Sequence, residues 1–274
     1  MGAMVRLEAR RVLVPAGVGI VVAMLLMVAV SATTFADAHL ATLLGYLCVW
    51  VPLLAAIVVA GAYAYAGQHG LGAPETVGRL AGGIRSMRSL LRLSFRPIDL
   101  IWGLAIGLLA RTLASLVEVW GYGSIGTAGA TFDQTVYDFW WLFGALLAPV
   151  LLAPVVEELF FRGLVLRAVY GQVATSRVPS TGKSRQNVPT QSGRGSTPWA
   201  APLAIGVSGL TFALMHLVTI DAGSTAVIVV VGVSTLIFGL AAASVSLATG
   251  RIGGAIVAHV TFNGLVMVPA LLSL

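Results

Sequence analysis

Seven long apolar runs constrain the fold of this 274-residue chain more than any other feature of its sequence. A membrane-spanning helix needs about 20 mostly apolar residues to cross a hydrocarbon core of about 30 Å. Only 9% of the residues are charged, whereas soluble domains usually carry about a quarter. The sequence therefore predicts an all-α polytopic membrane protein, a bundle of about seven transmembrane helices. The runs lie near residues 12–32, 40–66, 98–120, 139–166, 199–218, 224–248 and 252–273.

The basic residues in the connections between these runs predict the topology. Cytoplasmic loops retain Lys and Arg, so we expect a multi-pass protein of the plasma membrane with a cytoplasmic N-terminus. The net charge of +6 then reflects topology and contact with the lipid bilayer. No nucleic-acid partner is expected, since the basic loops lack interleaved aromatic residues. The basic residues precede the first run and follow the second, fourth and sixth: Arg6, Arg10 and Arg11; Arg79, Arg85, Arg88, Arg92 and Arg96; Arg167, Arg177, Lys183, Arg185 and Arg194; Arg251.

Two connections differ in composition from the apolar runs. Residues 67–97 are rich in Gly and Arg and are expected to form a basic cytoplasmic loop. Apolar residues spaced from Leu80 to Leu93 leave a short interfacial helix as the alternative. Residues 171–198 collect Ser, Thr, Pro, Gly and Gln, a composition that cannot bury enough apolar surface to stay ordered. We expect this second segment to be a flexible cytoplasmic linker.

Two adjacent carboxylates and an arginine lie in the fourth run, where ionisable side chains are costly. Each such residue costs at least about 2.5–3.5 kcal/mol in a membrane span, so Glu157, Glu158 and Arg162 require an explanation. Glu158 and Arg162 are spaced i,i+4 and are expected to pair on one helical face. Glu157 is rotated by about 100° and becomes the candidate general base. The alternative is a structural ion-pair cluster. Pro149 and Pro154 are expected to kink the helix just before the acids.

Two of the four histidines fall within apolar runs and belong to i,i+4 pairs. One turn separates Phe212 from His216, and one turn separates His259 from Asn263. Taken alone, His216 is typical of a packing residue, and the second pair is typical of interhelical hydrogen bonding. Two donors on one face also suit the stabilisation of an oxyanion. Together with the carboxylates, these pairs favour one polar site over separate structural roles.

These three patterns resemble the motif series of the CAAX protease and bacteriocin-processing (Abi, CPBP) family. The family consists of multi-span intramembrane endopeptidases, and the resemblance covers roughly residues 140–270. It implies a catalytic domain over residues 139–274 that contains the linker 171–198. Residues 1–138, with the first three helices and the loop 67–97, form a separate N-terminal unit that the resemblance does not explain. The motifs are Glu157-Glu158-x-x-Phe161-Arg162, Phe212-x-x-x-His216 and His259-x-x-x-Asn263.

The resemblance also implies a role for each residue of the motifs. By this resemblance, Glu157 and His216 activate a water molecule, and His259 with Asn263 holds the oxyanion of the tetrahedral intermediate. The expected reaction is hydrolysis of a peptide bond in a membrane-associated protein or peptide tail, as in CAAX processing. The remaining residues of the motifs are implied to support the site. These are Glu158 and Arg162.

The expected site needs no metal ion and no other cofactor. Two histidines and a glutamate are a donor set that suits zinc. However, the sequence contains no H-E-x-x-H motif, and His259 is paired with Asn263, whose amide is a poor zinc ligand. The resemblance likewise favours water activated by glutamate. Zinc is the alternative that this prediction leaves open.

Helix geometry predicts the depth of the site in the membrane. At about 1.5 Å per residue, His259 lies roughly 12 Å beyond Arg251, and Glu157 roughly 15 Å before Arg167. These residues are expected to meet in the cytoplasmic half, so that the active site faces that side. His216 is about 25 Å from the start of the fifth run. Its helix must therefore begin in the cytoplasm or tilt strongly.

Two other functions are compatible with buried carboxylates and histidines. A transporter or channel could use them to relay protons or bind a cation. A non-enzymatic immunity or scaffold protein could keep the fold of the family without its activity. A protease requires the residues to converge around one water, whereas a relay requires acids along a path through both halves of the bundle. Apart from the fourth run, no acid lies well inside a run except Glu118, which is close to an outer end.

Overall fold

A computed structural model describes residues 2–69, 90–125, 139–174, 197–218, 220 and 224–272. These residues form seven helices and no strand, which confirms the all-α prediction. Six helices contain segments long and apolar enough to cross a membrane, and the last helix adds a shorter apolar stretch at Gly253–Val268. The helices are α1 Gly2–Ser31, α2 Ala38–His69, α3 Ile98–Tyr122, α4 Phe139–Ala174, α5 Ala200–Val218, α6 Thr225–Thr249 and α7 Gly253–Leu272.

The helices pack in two groups, and α4 lies between them. Helices α1 and α2 form an antiparallel hairpin, while α3 packs against both α6 and α7. Small residues bring α3 close to α7: a Cβ atom at Gly103 would collide with Val257, and one at Gly107 would collide with Thr261. Close approach through small residues is typical of helix pairs in membranes, where apolar burial gives no driving force between helices. Helix α4 contacts α1 and α2 on one side and α5, α6 and α7 on the other, and thereby joins the hairpin to the rest of the bundle.

The hydrogen-bond register of α4 changes twice around the predicted acids. Two π-helical segments, Leu142–Leu152 and Leu159–Val165, flank an α-helical segment at Ala153–Glu158. At the first junction the N–H of Ala153 donates to the carbonyl of Ala148, five residues earlier. Short π segments of this kind are frequent at functional sites. At the prolines that are expected to kink α4, the structure shows a change of helical register.

Two prolines spaced five residues apart leave two carbonyls of α4 without a helical partner. In the π register, the carbonyls of Gly144 and Pro149 would accept from the N–H groups of residues 149 and 154. Both of these residues are proline and have no N–H. Side chains from other helices supply the donors: the Tyr46 hydroxyl donates to Gly144 at 2.9 Å, and the Asn263 amide donates to Pro149 at 2.8 Å.

The bundle has two ends that differ in charge. We call one the basic end: it contains the start of α3, the last turns of α4, the start of α5 and the α6–α7 connection. There Asp99 is fully buried and accepts hydrogen bonds from Arg251, the shortest at 2.6 Å. These bonds raise the pKa of the Arg251 guanidinium above its ordinary value. This ion pair links the first turn of α3 to the α6–α7 connection, and its two residues are 152 positions apart in the sequence.

Most of the two predicted cytoplasmic segments lies outside the described residues. In the basic loop predicted at 67–97, residues 70–89 are not described, and in the linker predicted at 171–198, residues 175–196 are not. Residues 171–174 belong to the last turn of α4 rather than to the linker. The helix therefore continues farther than its apolar composition predicts.

Candidate active site

The two adjacent acids lie in the middle of α4, at the second change of register. Glu157 and Glu158 end the α-helical segment, and the π segment starts at Leu159. Glu158 and Arg162 are both fully buried, and their side chains approach to 3.0 Å. The Arg162 guanidinium also donates to the carbonyl of Gly239 on α6 at 3.3 Å. The structure thus contains the ion pair expected from the i,i+4 spacing.

Aromatic rings surround the buried guanidinium of Arg162. Its Cζ atom lies 4.4 Å from the ring centroid of Phe212, 5.6 Å from that of Phe238 and 5.9 Å from that of Phe161. A cation over aromatic faces is stabilised most when it is desolvated, as it is here. These contacts hold the arginine in place between α4, α5 and α6. Phe212, the first residue of the second motif, therefore supports this arginine.

Glu158 also binds the first residue of the third motif. Its Oε1 atom lies 2.9 Å from Nδ1 of His259, which is 2% exposed. An ionised carboxylate can only accept a hydrogen bond, so the Nδ1–H of His259 donates it. The other ring nitrogen, Nε2, takes no part in this bond. That Nε2 lies 3.9 Å from Oε2 of Glu157. Glu158 therefore fixes the orientation of the imidazole, as carboxylates commonly do for functional histidines.

His216 on α5, like His259 on α7, has its Nε2 atom nearest to Glu157. Its Nδ1 donates to the carbonyl of Phe212 at 3.0 Å, since a carbonyl can only accept. Its Nε2 lies 3.8 Å from Oε2 of Glu157. The two imidazoles differ in exposure, because the side chain of His216 is 30% exposed and that of His259 only 2%. His216 is thus the more accessible of the two histidines.

The Oε2 atom of Glu157 lies between the two histidines. This atom is buried and has no hydrogen-bond partner among the described residues. Separations of 3.8 and 3.9 Å are too long for direct hydrogen bonds. Polar groups at such distances commonly share a bridging water. A carboxylate and two oriented imidazoles therefore face one small volume.

Asn263 lies beside this group rather than within it. It is one turn beyond His259 on α7, a rise of about 6 Å. Its side-chain nitrogen donates to the carbonyl of Pro149, two turns before Glu157 on α4. A primary amide carries two N–H donors, and this bond uses one of them. The structure thus gathers Glu157, Glu158, Arg162, His216 and His259 into one cluster and places Asn263 at its edge.

The depth of His216 follows from the unequal lengths of the helices. Arg167 of α4 donates to the carbonyl of Ser246 near the end of α6, yet α4 continues to Ala174, about 10 Å farther. Helix α5 begins beside this extension, where the Thr197 hydroxyl donates to the carbonyl of Val173. Helices α4 and α5 therefore extend together beyond the α6–α7 connection. His216 reaches Glu157 although it lies at the far end of α5.

A cavity of about 340 Å³ borders the cluster and is lined by residues from four helices. Glu157 and His216 contribute a carboxylate and an imidazole to the wall. Sequence reasoning missed the contribution of α1 and α2. The available signal was Thr42 and Tyr46, two polar residues spaced i,i+4 on a strongly apolar helix. The lining residues are Met27 from α1; Thr42, Gly45, Tyr46, Val49 and Trp50 from α2; Ala153 and Glu157 from α4; Met215 and His216 from α5.

The donor atoms around Glu157 are of the type that binds zinc, but their spacing is wide. Tetrahedral zinc with bonds of about 2.0–2.1 Å separates its ligand atoms by about 3.3 Å. The Oε2 atom of Glu157 lies 3.8 and 3.9 Å from the two Nε2 atoms. Within the described part of the chain, no three His, Cys, Asp or Glu side chains are arranged to hold a metal ion.

Comparison with known proteins gives one match. Residues 139–265 match the family described as Rce1-like, type II CAAX prenyl endopeptidase. Searches of curated proteins and of solved structures give no match. The matched segment contains all six residues predicted for the site, whereas α1, α2 and α3 lie before it.

Proposed function

We propose, from the match of residues 139–265 to the Rce1-like CAAX endopeptidase family, that the protein hydrolyses a peptide bond of a membrane-associated protein or peptide tail. The observation that carries the proposal is the convergence on Glu157. Its Oε2 atom lies within 4 Å of two imidazole nitrogens, at the wall of a cavity of about 340 Å³. Both rings are held by hydrogen bonds through their other nitrogen. Such an arrangement suits a general base acting on water.

In this proposal a water molecule bridges Glu157 and His216. Glu157 takes a proton from the water, and the resulting hydroxide attacks the carbonyl carbon of the scissile peptide. The carbonyl oxygen becomes an oxyanion. His259, kept in place by Glu158, and the second amide N–H of Asn263 hold this oxyanion. Glu158 and Arg162 act as positioning residues.

Collapse of the intermediate completes the reaction. The C–N bond breaks, and the proton held by Glu157 passes to the leaving amine. Glu157 returns to its ionised form, and the products are a carboxylic acid and an amine. The proton of the acid then passes to the amine, which leaves a carboxylate and an ammonium group. No redox partner is required. We propose that hydrolysis proceeds without a metal ion, supported by the wide spacing of the donor atoms around Glu157.

The transporter alternative needs a polar path through both halves of the bundle. On the side of Glu157 toward the basic end, consecutive residues of α4 are buried from Phe160 to Leu166. Among the described residues, the other intramembrane pair is Arg111 with Glu118, which bond each other on α3 at 2.6 Å. This pair belongs to another helix and does not extend the cluster toward the basic end. The endopeptidase is therefore the function that the geometry supports best.

The proposal is tested by replacing Glu157 with Gln in the purified full chain. The assay uses farnesylated and unmodified peptides that end in a Cys-aliphatic-aliphatic-X tail, with products identified by mass spectrometry. We expect wild-type cleavage to fall by at least about 10²-fold in Glu157→Gln, the lower range for loss of a general base. The matched control is Asp37→Asn, because Asp37 is exposed and caps α2 through the His39 N–H. Asn is an equally good cap, so this variant should retain activity.

Three results would contradict parts of the proposal. Undiminished cleavage by Glu157→Gln excludes it as the base. Complete and zinc-reversible loss of wild-type activity in the presence of a chelator excludes the metal-free reaction. Cleavage of none of the peptides by wild-type protein, with native thermal stability, favours a non-enzymatic role.

A further inference from the structure

We infer that the catalytic cavity admits its substrate from the end of the bundle opposite the basic end, on the non-cytoplasmic side of the membrane. This inference rests on the proposed function for the identity of the substrate, a peptide. The side of entry follows from three observations that do not depend on catalysis. They are the position of the lining residues along their helices, the packing on the other side of Glu157, and the charge of the two ends.

The cavity-lining residues lie near helix ends that meet at one end of the bundle. Met27 is four residues before the end of α1, and Thr42 is four residues after the start of α2. His216 is two residues before the end of α5. All three of these helix ends lie opposite the basic end, because the described helices alternate in direction along the chain. The cavity therefore extends from Glu157 toward that opposite end.

The space between Glu157 and the basic end is filled by side chains. Phe161, Leu164 and Leu166 of α4 are at most 1% exposed. Arg162 is fully buried among aromatic rings at the same level. Farther along, Arg167 bonds both the carbonyl and the hydroxyl of Ser246. Within the described part of the chain, a peptide cannot reach Glu157 through this packed region.

The two ends also differ in the charges of their connections. The connections at the basic end carry the arginines and the single lysine of the loops. Those at the opposite end contain no Lys or Arg and carry acidic residues instead. By the distribution of basic residues, the opposite end lies outside the cytoplasm. These acidic residues are Asp37, Asp133, Asp138 and Asp221.

The side of entry differs from the expectation that the active site faces the cytoplasmic half. That expectation measured depth in the membrane from Arg251 and Arg167. These two residues lie deeper in the bundle than the start of α5, because α4 and α5 extend beyond the α6–α7 connection. Entry from the opposite end restricts the substrate class. The cleaved peptide bond must belong to a segment that emerges on the non-cytoplasmic face or lies in the outer half of the bilayer. Apolar walls at Met27, Val49 and Trp50 suit apolar side chains in that segment.

Cysteine labelling in intact cells tests this inference. Cys48 is the single cysteine of the chain and is first replaced by Ala. Thr42→Cys then reports on the cavity, and Ser94→Cys, at an exposed position of the basic end, is the matched control. Each variant is treated with a membrane-impermeant maleimide before and after permeabilisation. We expect Thr42→Cys to be labelled equally in both conditions and Ser94→Cys to be labelled only after permeabilisation.

Three outcomes overturn the inference. Labelling of Thr42→Cys only after permeabilisation places the cavity on the cytoplasmic side. Labelling of Ser94→Cys in intact cells contradicts the topology. Absence of labelling at Thr42→Cys until denaturation shows that water does not reach the cavity from that end. Native thermal stability of both variants excludes misfolding, and because labelling requires no cleavage, its result is independent of whether the protein is an endopeptidase.

Discussion

At the scale of single residues, Glu158 has two partners that a linear motif does not reveal together. Its Oε1 atom lies 3.0 Å from Arg162 and 2.9 Å from Nδ1 of His259. The carboxylate thus balances a buried cation and also orients a candidate catalytic ring. A substitution at Glu158 therefore changes both stability and the geometry around Glu157.

Double substitution separates these two contributions. Glu158→Gln alone leaves the Arg162 cation buried without its counter-charge, which we expect to destabilise the protein by about 3–5 kcal/mol. Replacing the pair by Glu158→Gln and Arg162→Met removes both charges, and pairs replaced by apolar residues are often neutral for stability. We expect thermal unfolding in detergent to show a lowered Tm for the single variant and a recovered Tm for the double variant.

Peptide cleavage should not recover with stability. In the double variant His259 loses the carboxylate that fixes its ring, so kcat should remain low at a native Tm. Recovery of both properties together would mean that Glu158 serves the fold alone. The single variant Arg162→Met is the control, because it leaves the Glu158 carboxylate buried without its cation. Its Tm shows the cost of the other unpaired charge.

At the scale of helices, the sequence predicts where the elements lie but not their internal register. Apolar length locates all seven helices to within a few residues, apart from the basic N-terminal extension of α1 and the longer C-terminal end of α4. The π segments of α4 depend on donors from other helices, Tyr46 and Asn263, which no local pattern identifies. Asn263 illustrates the limit: its i,i+4 spacing from His259 indicates a shared face, but its bond to Pro149 depends on tertiary packing.

The proline at position 154 provides a test of the two roles of Asn263. Asn263→Ala leaves the Pro149 carbonyl without a donor, which should cost about 1–3 kcal/mol if that group stays buried. Pro154→Ala supplies a backbone N–H five residues after Pro149, the donor that the π register lacks. The double variant should therefore regain the stability lost in Asn263→Ala, as measured by Tm.

Activity distinguishes a structural Asn263 from a catalytic one. If its second N–H stabilises the oxyanion, the double variant keeps a kcat lowered by roughly 10²–10³-fold despite its recovered Tm. A kcat that returns with stability assigns Asn263 to the helix alone. Pro154→Ala by itself is the control, because it retains Asn263 and should remain active if the backbone of α4 is unchanged.

At the scale of the whole molecule, the site combines the matched family segment with helices outside it. The residues of the proposed chemistry all lie within 139–265, and the motif spacing predicts them from sequence. The cavity wall formed by α1 and α2 is not predicted, because apolar side chains that face a cavity, a neighbouring helix or lipid look alike in sequence. The packing of the hairpin against α4 supplies this information. Helices α1 and α2 therefore form part of the wall of the proposed substrate site.

A substitution that fills the cavity from α2 tests this role. A Cβ atom at Gly45 has no heavy atom within 4 Å, and Gly45 lines the cavity. Gly45→Phe should therefore fold and place its ring where the peptide would bind. We expect it to lower kcat/KM for peptide substrates by at least about tenfold, which corresponds to about 1.4 kcal/mol of binding in the transition state. The chemistry around Glu157 is left intact by this change.

The matched control is Gly17→Phe on α1, where a Cβ atom also meets nothing within 4 Å but the position is exposed on the outer surface of the bundle. Both substitutions put the same side chain into the middle of a helix, so their effects on stability should be similar. An activity loss confined to Gly45→Phe, with equal Tm values, assigns α2 to substrate binding. Equal activity in the two variants would mean that the peptide reaches Glu157 without entering the space beside α2, and the hairpin would then serve only to support α4.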